Sequence, residues 1–177
     1  MKKTRKIILM GLFIAIDIVL TRFLSIQTPI VRISFDFLPI ALAAIMFGPL
    51  VGGTTAAIAD LIGMMLFPKA AYFPGFTLSA FLTGAIYGIF LYNKTLSTVR
   101  VSISVLIIKL FIDLGLNTLW LHILLNKAVL AILPTRIISN AVMLPIQVIA
   151  ICMVYRALNS AFKIKIINEW ENRWIEK

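Results

Sequence analysis

The chain has little of what soluble catalytic chemistry requires. Its 177 residues include one cysteine, one histidine and seven acidic residues. The single Cys152 excludes disulfide and multi-cysteine metal frameworks, and the lone His122 cannot supply a metal cluster. There is no GxxxxGK[ST] loop, no GxGxxG motif, no HExxH helix and no plausible pair of nucleophile and base. We therefore expect a non-enzymatic chain with no catalytic site, no metal site and no cofactor of its own.

Apolar residues dominate what is present. They make up 61% of the chain, and the mean hydropathy is +1.02. The longest uncharged runs reach or approach the roughly 20 residues that cross a bilayer core; they are Phe37 to Ala59, Ala70 to Asn93 and Ile137 to Tyr155. This composition predicts a polytopic membrane protein whose residues 1–177 form a single all-α bundle of transmembrane helices, without room for a soluble catalytic domain.

The sequence predicts six membrane spans. The run from Phe37 is divided because Gly48, Pro49, Gly52 and Gly53 make a poor helix interior and a good tight turn. The spans are Ile7 to Leu24, Phe37 to Phe47, Val51 to Leu66, Thr77 to Tyr92, Val101 to Leu124 and Pro134 to Phe162.

The net charge of +10 is distributed unevenly. With six spans and an inner amino terminus, the outer loops hold only Arg32, Lys69 and Lys127. The inner segments hold Lys2, Lys3, Arg5, Lys6, Lys94, Arg100, Arg156, Lys163, Lys165, Arg173 and Lys177. This asymmetry predicts that both termini are cytoplasmic and argues against nucleic-acid binding. The tail with Trp170 and Trp174 is either an amphipathic helix at the inner interface or a solvated end.

Four aspartates lie within or at the edge of apolar stretches: Asp17, Asp36, Asp60 and Asp113. Such groups are expensive in hydrocarbon and need protein partners, water or a ligand. On the fifth span the polar and amphipathic residues share one helical face, with Asp113 spaced to neutralise Lys109. Asn117 and Trp120 lie at the outward end of this face and suit a planar ligand.

Two outer loops and the first helix carry further signals. The loops, residues 30–36 and 68–76, place a cation beside several aromatic rings, which suits an anionic, aromatic ligand as well as an interfacial belt. Their relevant residues are Arg32, Ser34, Tyr72, Phe73 and Phe76. On the first helix Gly11 and Ala15 lie one turn apart, so this face suits either intramolecular packing or docking of a partner helix.

Several short motifs together resemble a known family. They are Arg32-Ile-Ser-Phe-Asp-Phe-Leu-Pro39, Phe47-Gly-Pro-Leu-Val-Gly-Gly53, Ala59-Asp60-Leu-Ile-Gly63 and Tyr72-Phe-Pro-Gly-Phe-Thr-Leu-Ser79. These are similar to motifs of the substrate-binding membrane subunits, or S components, of energy-coupling factor (ECF) vitamin transporters. Further segments resemble the folate-specific branch; they are Asn117-Thr-Leu-Trp-Leu121, Leu133-Pro-Thr-Arg-Ile-Ile-Ser-Asn140 and Leu144-Pro-Ile-Gln147.

The resemblance implies a multi-pass protein of a prokaryotic cell membrane that binds folate outside and delivers it inward. Its implied partners are a transmembrane coupling subunit and two cytoplasmic ATPases, which hydrolyse the ATP. The family's AxxxA docking motif corresponds to Gly11 and Ala15, with glycine in place of the first alanine. The expected ligand-binding residues are Arg32, Phe35, Asp60, Tyr72, Phe73, Phe76, Asn117, Trp120, Arg136 and Asn140.

The chemistry of folate suggests a role for each type of residue. Aromatic side chains suit its two ring systems, and Asn117 or an aspartate suits the hydrogen-bonding edge of the pterin. Arg32 or Arg136 would pair with a glutamate carboxylate of folate or hold an internal aspartate. Of the four aspartates, Asp60 keeps the strongest claim to a ligand. Asp36 suits a helix amino terminus, and Asp17 either pairs with Arg22 or faces an internal cavity.

Other functions remain open on the sequence. An S component for riboflavin, thiamine or a pterin-like vitamin would share most of these features. A proton-coupled secondary transporter would use Asp17, Asp60 or Asp113 as a relay, although no internal repeat supports it. A small membrane enzyme would need a catalytic constellation that the chain does not contain.

Overall fold

Helices traverse the molecule six times in the computed structural model, which describes residues 3–27, 32–68, 72–94, 96–125 and 129–175. The elements are α1 (Lys3–Arg22), β1 (Ile26–Gln27), β2 (Arg32–Ile33), α2 (Phe37–Phe47), α3 (Pro49–Leu66), α4 (Pro74–Leu91), α5 (Thr98–Ile107), a π-helical segment (Ile108–Leu116), α6 (Asn117–Leu125) and α7 (Val129–Ile175). Because α5, the π-helical segment and α6 are continuous, they form one traverse. The prediction of an all-α membrane bundle is confirmed. The cytoplasmic location of both termini stays a prediction.

One short β-hairpin was not predicted. Ile26 pairs with Ile33 and Gln27 with Arg32 in antiparallel register, so the connection between α1 and α2 is held by two-residue strands. Residues 28–31 of this connection lie outside the described part of the chain.

The predicted division between the second and third helices is confirmed at Gly48. Its φ of 91° lies in the left-handed region that glycine tolerates, and Pro49 occupies the first turn of α3. Gly52 and Gly53 lie inside α3, as in the predicted span Val51 to Leu66, so the argument that they make a poor helix interior was wrong. They serve close packing instead: a Cβ on Gly52 would lie 2.6 Å from the Ala44 Cβ, and one on Gly53 would lie 2.8 Å from the Phe81 carbonyl oxygen.

Helices α3 and α4 approach each other at backbone distance. A Cβ on Gly84 would lie 2.4 Å from the Gly52 carbonyl oxygen, and one on Gly88 would lie 2.3 Å from the Pro49 Cα. Lipid is as apolar as the side chains, so helices in a bilayer associate through close van der Waals contact more than through apolar burial. The glycines therefore hold together the pair of helices whose far end carries the candidate site.

Large apolar side chains cover the outside of the bundle. Leu50 is 72% exposed, Met65 82% and Phe111 68%, which suits contact with lipid. By length and composition three described helical segments are able to cross a bilayer: Pro49–Leu66, Pro74–Leu91 and Leu133–Ala157. The core between the helices contains Tyr87, Leu91, Val101, Val105 and Ile151, all 1% exposed or less.

The short α2 changes the interpretation of Asp36. Its 11 residues span about 16 Å, roughly half of a bilayer core of about 30 Å. The far end of α2 is fixed near the start of α1 and the end of α4, since Lys6 Nζ lies 5.8 Å from the Phe47 ring centroid and Tyr92 borders Gly48. Asp36 thus precedes a helix that is too short to cross a bilayer core, and it is half-buried. Its carboxylate makes no capping hydrogen bond to α2.

The fifth traverse was predicted as one regular helix, but its middle is π-helical from Ile108 to Leu116. A π-helix bonds residue i to residue i+5, which widens the turn and interrupts the i to i+4 ladder. The expected Lys109–Asp113 pair is nevertheless formed, with 2.6 Å between Nζ and Oδ2. Asp17 and Arg22 on α1 are both buried, and neither lacks a partner.

The last helix, α7, begins five residues earlier than predicted, at Val129, and extends to Ile175 despite Pro134 and Pro145. Its 47 residues correspond to about 70 Å, more than a bilayer core requires. The tail is therefore helical. The predicted amphipathic face with Trp170 and Trp174 concerns side chains outside the described part.

We expect Gly84→Ala to lower the thermal unfolding temperature of the detergent-solubilised protein. The added methyl group must displace the α3 backbone, and overpacking of this kind costs about 1–3 kcal/mol. Gly11→Ala is the matched control, since nothing lies within 4 Å of a Cβ at Gly11, and replacing an exposed helical glycine by alanine is neutral or stabilising. Equal unfolding temperatures for the two variants would contradict the close α3–α4 contact.

Candidate functional site

Polar and aromatic side chains converge at the end of the bundle where α3 ends and α4 begins. Thr77 Oγ1 donates a hydrogen bond of 2.8 Å to Asp60 Oδ2, which joins the two helices. The Tyr72 hydroxyl lies 3.4 Å from Thr77 Oγ1. Because the single Thr77 hydroxyl proton is given to Asp60, Tyr72 is the donor of this weaker contact. The Asp60 carboxylate is thus oriented by a short chain of hydroxyl groups.

An aromatic cluster lies beside these hydroxyl groups. The Phe73 ring centroid lies 5.5 Å from that of Trp120 and 6.1 Å from that of Phe76. Trp120 Nε1 donates a hydrogen bond of 3.1 Å to Ser79 Oγ, which links α6 to α4. The indole also covers Gly75, where a Cβ would lie 2.6 Å from Trp120 Cδ2. Glycine is therefore required for the indole to lie against the start of α4.

Asp113 is the centre of a second network, on the π-helical segment. Its Oδ2 accepts from Lys109 Nζ at 2.6 Å, and its Oδ1 accepts from Asn117 Nδ2 at 3.1 Å. Its backbone carbonyl accepts from Arg136 Nη2 of α7 at 2.7 Å and from Thr118 Oγ1 at 3.3 Å. The bond from Arg136 connects the π-helical segment to α7.

The buried polar atoms that have no hydrogen-bond partner within the described part of the chain include Asn117 Oδ1, Tyr87 Oη and Gln147 Oε1. An unsatisfied buried polar group costs about 1–3 kcal/mol, so such atoms indicate sites where a ligand or water completes the bonding. Asn117 belongs to the Asp113 network. Tyr87, on α4, is fully buried.

The structure brings most of the sequence-predicted residues to one end of the bundle. Asp60, Tyr72, Phe73, Phe76 and Trp120 are joined by the contacts above, and Asn117 and Arg136 meet at Asp113. Phe76 was assigned to a loop but lies in the first turn of α4, which begins at Pro74.

Two predicted residues stand apart from these contacts, and the side chain of a third, Arg32, lies outside the described part. Phe35 is 46% exposed, and its ring lies 6.0 Å from that of the buried Phe37. Asn140 is half-buried one turn after Arg136, on the same face of α7. Arg32 lies in β2, but its side chain is outside the described part.

Sequence reasoning missed Thr77, Ser79 and Tyr87. The first two are the partners that orient Asp60 and Trp120, and a signal for them existed, because both lie in the quoted segment Tyr72 to Ser79. Tyr87 offered no signal, since a tyrosine in an apolar helix is common and only the three-dimensional packing shows that its hydroxyl is enclosed.

The arrangement suits a flat, polar ligand. Aromatic rings provide surfaces for stacking, and the buried Asn117 Oδ1, which has no hydrogen-bond partner among the described residues, provides an acceptor. The described residues contain no cluster of three or more histidine, cysteine, aspartate or glutamate side chains that could hold a metal ion.

Gly11 and Ala15 lie away from this site, on an exposed face of α1. No atom lies within 4 Å of a Cβ built on Gly11. The small-residue face is therefore open on the outside of the bundle as far as the described residues are concerned.

Comparison with known proteins gives a consistent result. Residues 5–155 match the family described as ECF transporter, substrate-specific component. The chain is 50% identical over 169 residues to the Folate transporter FolT of Clostridium novyi (strain NT), and this match covers 96% of each of the two chains. It is 37% identical over 152 residues to the Folate transporter FolT of Leuconostoc mesenteroides, covering 82% of this chain and 81% of the relative.

Solved structures show the same relationship. A crystal structure of FolT bound with folic acid superposes with a TM-score of 0.79 at 46% identity, covering 83% of this chain and 89% of the other. The S component of a bacterial ECF transporter superposes with a TM-score of 0.66 at 24% identity, covering 92% of this chain and 99% of the other. At that lower identity the likeness concerns the fold.

Proposed function

Since the chain belongs to the family of substrate-specific components of ECF transporters, we propose that it binds folate outside the cell and delivers it inward. Members of this family are binding and transport subunits rather than enzymes, and this one is a multi-pass protein of a bacterial cell membrane. The observation that carries the choice of folate is the 50% identity, over 96% of the chain, to a folate transporter. The superposition on FolT bound with folic acid supports it.

The geometry of the site supports the same ligand. Folate combines a flat pterin, an aminobenzoyl ring and a glutamate with two carboxylates. The rings stack on the aromatic cluster of Phe73, Phe76 and Trp120, and the hydrogen-bonding edge of the pterin meets Asn117. Asp60, held by Thr77, accepts from an N–H group of the ligand. Arg32 and Arg136 remain the cations proposed for the glutamate, with Tyr72, Phe35 and Asn140 at the margins of the site.

Uptake requires partners that supply energy, because the described residues and the sequence motifs include no nucleotide-binding loop. We assign this role to a transmembrane coupling subunit and two cytoplasmic ATPases. The exposed Gly11 and Ala15 face of α1 suits docking of the coupling subunit, since small residues let two helices approach closely.

A vitamin panel tests the ligand. We expect the purified, detergent-solubilised protein to bind folate tightly in isothermal titration calorimetry, and to bind riboflavin, thiamine and biotin at least about a thousandfold more weakly, a difference of roughly 4 kcal/mol. Tight binding of another vitamin instead of folate would reject the substrate assignment. Proton-gradient-driven uptake by proteoliposomes without ATPase partners would reject the transport class.

Trp120→Ala should weaken folate binding by about tenfold to a hundredfold, because it removes a stacking surface and an aromatic contact worth about 1–3 kcal/mol. Phe111→Ala is the matched control: it truncates an aromatic residue on the same traverse, but its ring is 68% exposed on the outside of the bundle. The measurement is calorimetric affinity in correctly inserted protein. Equal losses in both variants would show that the site is elsewhere.

Ala15→Leu should leave folate affinity within about twofold of wild type but reduce co-purification with the coupling subunit by at least about tenfold, since a bulky side chain separates the helices by an overpacking cost of about 1–3 kcal/mol. Ala141→Leu, at an exposed position on α7, is the matched control and should change neither property. Unchanged complex formation by Ala15→Leu would place the docking surface on another helix.

A further inference from the structure

Both carboxylate oxygens of Asp113 are occupied within the chain. Lys109 Nζ donates to Oδ2 at 2.6 Å and Asn117 Nδ2 donates to Oδ1 at 3.1 Å. Lys109 is only 8% exposed, so this ion pair is largely enclosed. Because both oxygens are already bonded within the protein, we do not expect the Asp113 carboxylate to bind the ligand directly, as we do for Asp60.

The contact with Asp113 determines which end of the Asn117 amide faces the interior. A carboxylate only accepts hydrogen bonds, so the amide must turn its NH₂ group toward Asp113 and its oxygen away. Reversing the amide would bring two acceptor oxygens together and lose a charge-assisted hydrogen bond. Asn117 Oδ1 is consequently directed elsewhere, and it is buried without a hydrogen-bond partner among the described residues.

Asp113 itself cannot turn easily. Its carbonyl accepts from Arg136 Nη2 at 2.7 Å and from Thr118 Oγ1 at 3.3 Å, so its backbone is tied to α7 and to the next turn of its own traverse. Thr118 is 2% exposed. The side chain and backbone of Asp113 are thus restrained together, and the orientation of the Asn117 amide is preorganised before a ligand arrives.

We propose that Asp113 is a positioning residue for specificity: it holds Asn117 so that a hydrogen-bond acceptor faces the ligand, and the ligand must present an N–H donor there. The inference rests on the proposed folate function. In folate the pterin edge with the 2-amino group and N3–H provides such donors. A ligand that presented a carbonyl at this position would leave two acceptors facing each other, and a buried polar group left unpaired gives strong discrimination.

Asp113→Asn tests the proposal with little change in shape. The introduced amide keeps an oxygen for Lys109 and turns its NH₂ group toward Asn117, which must then present its own oxygen to that group and its NH₂ group to the ligand. The probes are folate and two analogues, one lacking the 2-amino group and one methylated at N3. The readout is the ratio of the analogue Kd to the folate Kd.

For the wild-type protein we expect at least one analogue to bind about tenfold or more weakly than folate, as a lost hydrogen bond of about 1.4 kcal/mol implies. In Asp113→Asn, folate should lose at least about tenfold in affinity and the ratio for that analogue should fall to within about threefold of unity. Thr118→Val is the control at the same centre: it removes a hydrogen bond to the Asp113 carbonyl but leaves the amide contact, so its ratio should stay at the wild-type value.

Other outcomes separate the possible failures. If Asp113→Asn does not fold, Asn117→Ala removes the acceptor alone and should bring the same ratio close to unity. An unchanged ratio in the folded variants, or equal loss of all three ligands in Asp113→Asn and Thr118→Val, would reduce Asp113 to a structural role. A wild-type protein that binds folate but shows no discrimination would overturn this inference alone. Absence of folate binding would overturn the proposed function as well.

Discussion

A bilayer core offers no hydrogen bonds, and this constraint underlies the rest of the structure. Every polar group that enters the bundle must be satisfied by the protein or by what the protein binds. Lys109 and Asp113 neutralise each other, Thr77 donates a hydrogen bond to Asp60, and Ser79 accepts one from Trp120. Asn117 Oδ1 is a buried atom without a hydrogen-bond partner among the described residues, and leaving it unpaired costs free energy. A ligand that donates a hydrogen bond to it removes this cost and therefore binds more tightly.

The α3–α4 pair and the fifth traverse are held in different ways. The α3–α4 pair is in backbone contact through Gly52, Gly84 and Gly88, so it cannot shift without steric overlap. The fifth traverse departs from α-helical geometry between Ile108 and Leu116. Within that segment the Asp113 carbonyl accepts a hydrogen bond from Arg136 of α7, and Asp113 also holds Asn117, so α7 is coupled to the candidate site.

Much of the fold followed from composition. The uncharged runs and the Gly48–Pro49 pair predicted six helical traverses and the division between α2 and α3, and the i, i+4 spacing predicted the Lys109–Asp113 pair. The π-helical segment was not predictable, because Gly115 alone does not signal a change of hydrogen-bond register. Gly52 and Gly53 were wrongly used as a signal for the turn, since a glycine that terminates a helix and one that permits close packing look the same in a sequence.

The candidate site was predictable in its residue types but not in its connections. Aromatic residues, Asp60 and Asn117 stood out because polar groups in apolar segments are expensive. Thr77 and Tyr87 did not, since hydroxyl groups in membrane helices usually bond to their own backbone, as Thr55 does to Val51.

The pairing of Lys109 with Asp113 also has an electrical consequence. Moving one elementary charge across a membrane potential of 100 mV involves work of about 2.3 kcal/mol. Because these two opposite charges lie 2.6 Å apart on one segment, any motion that carries the segment along the membrane normal displaces almost no net charge from this pair. The interior of the bundle can therefore hold ionised groups while its rearrangements remain, as far as this pair is concerned, independent of voltage.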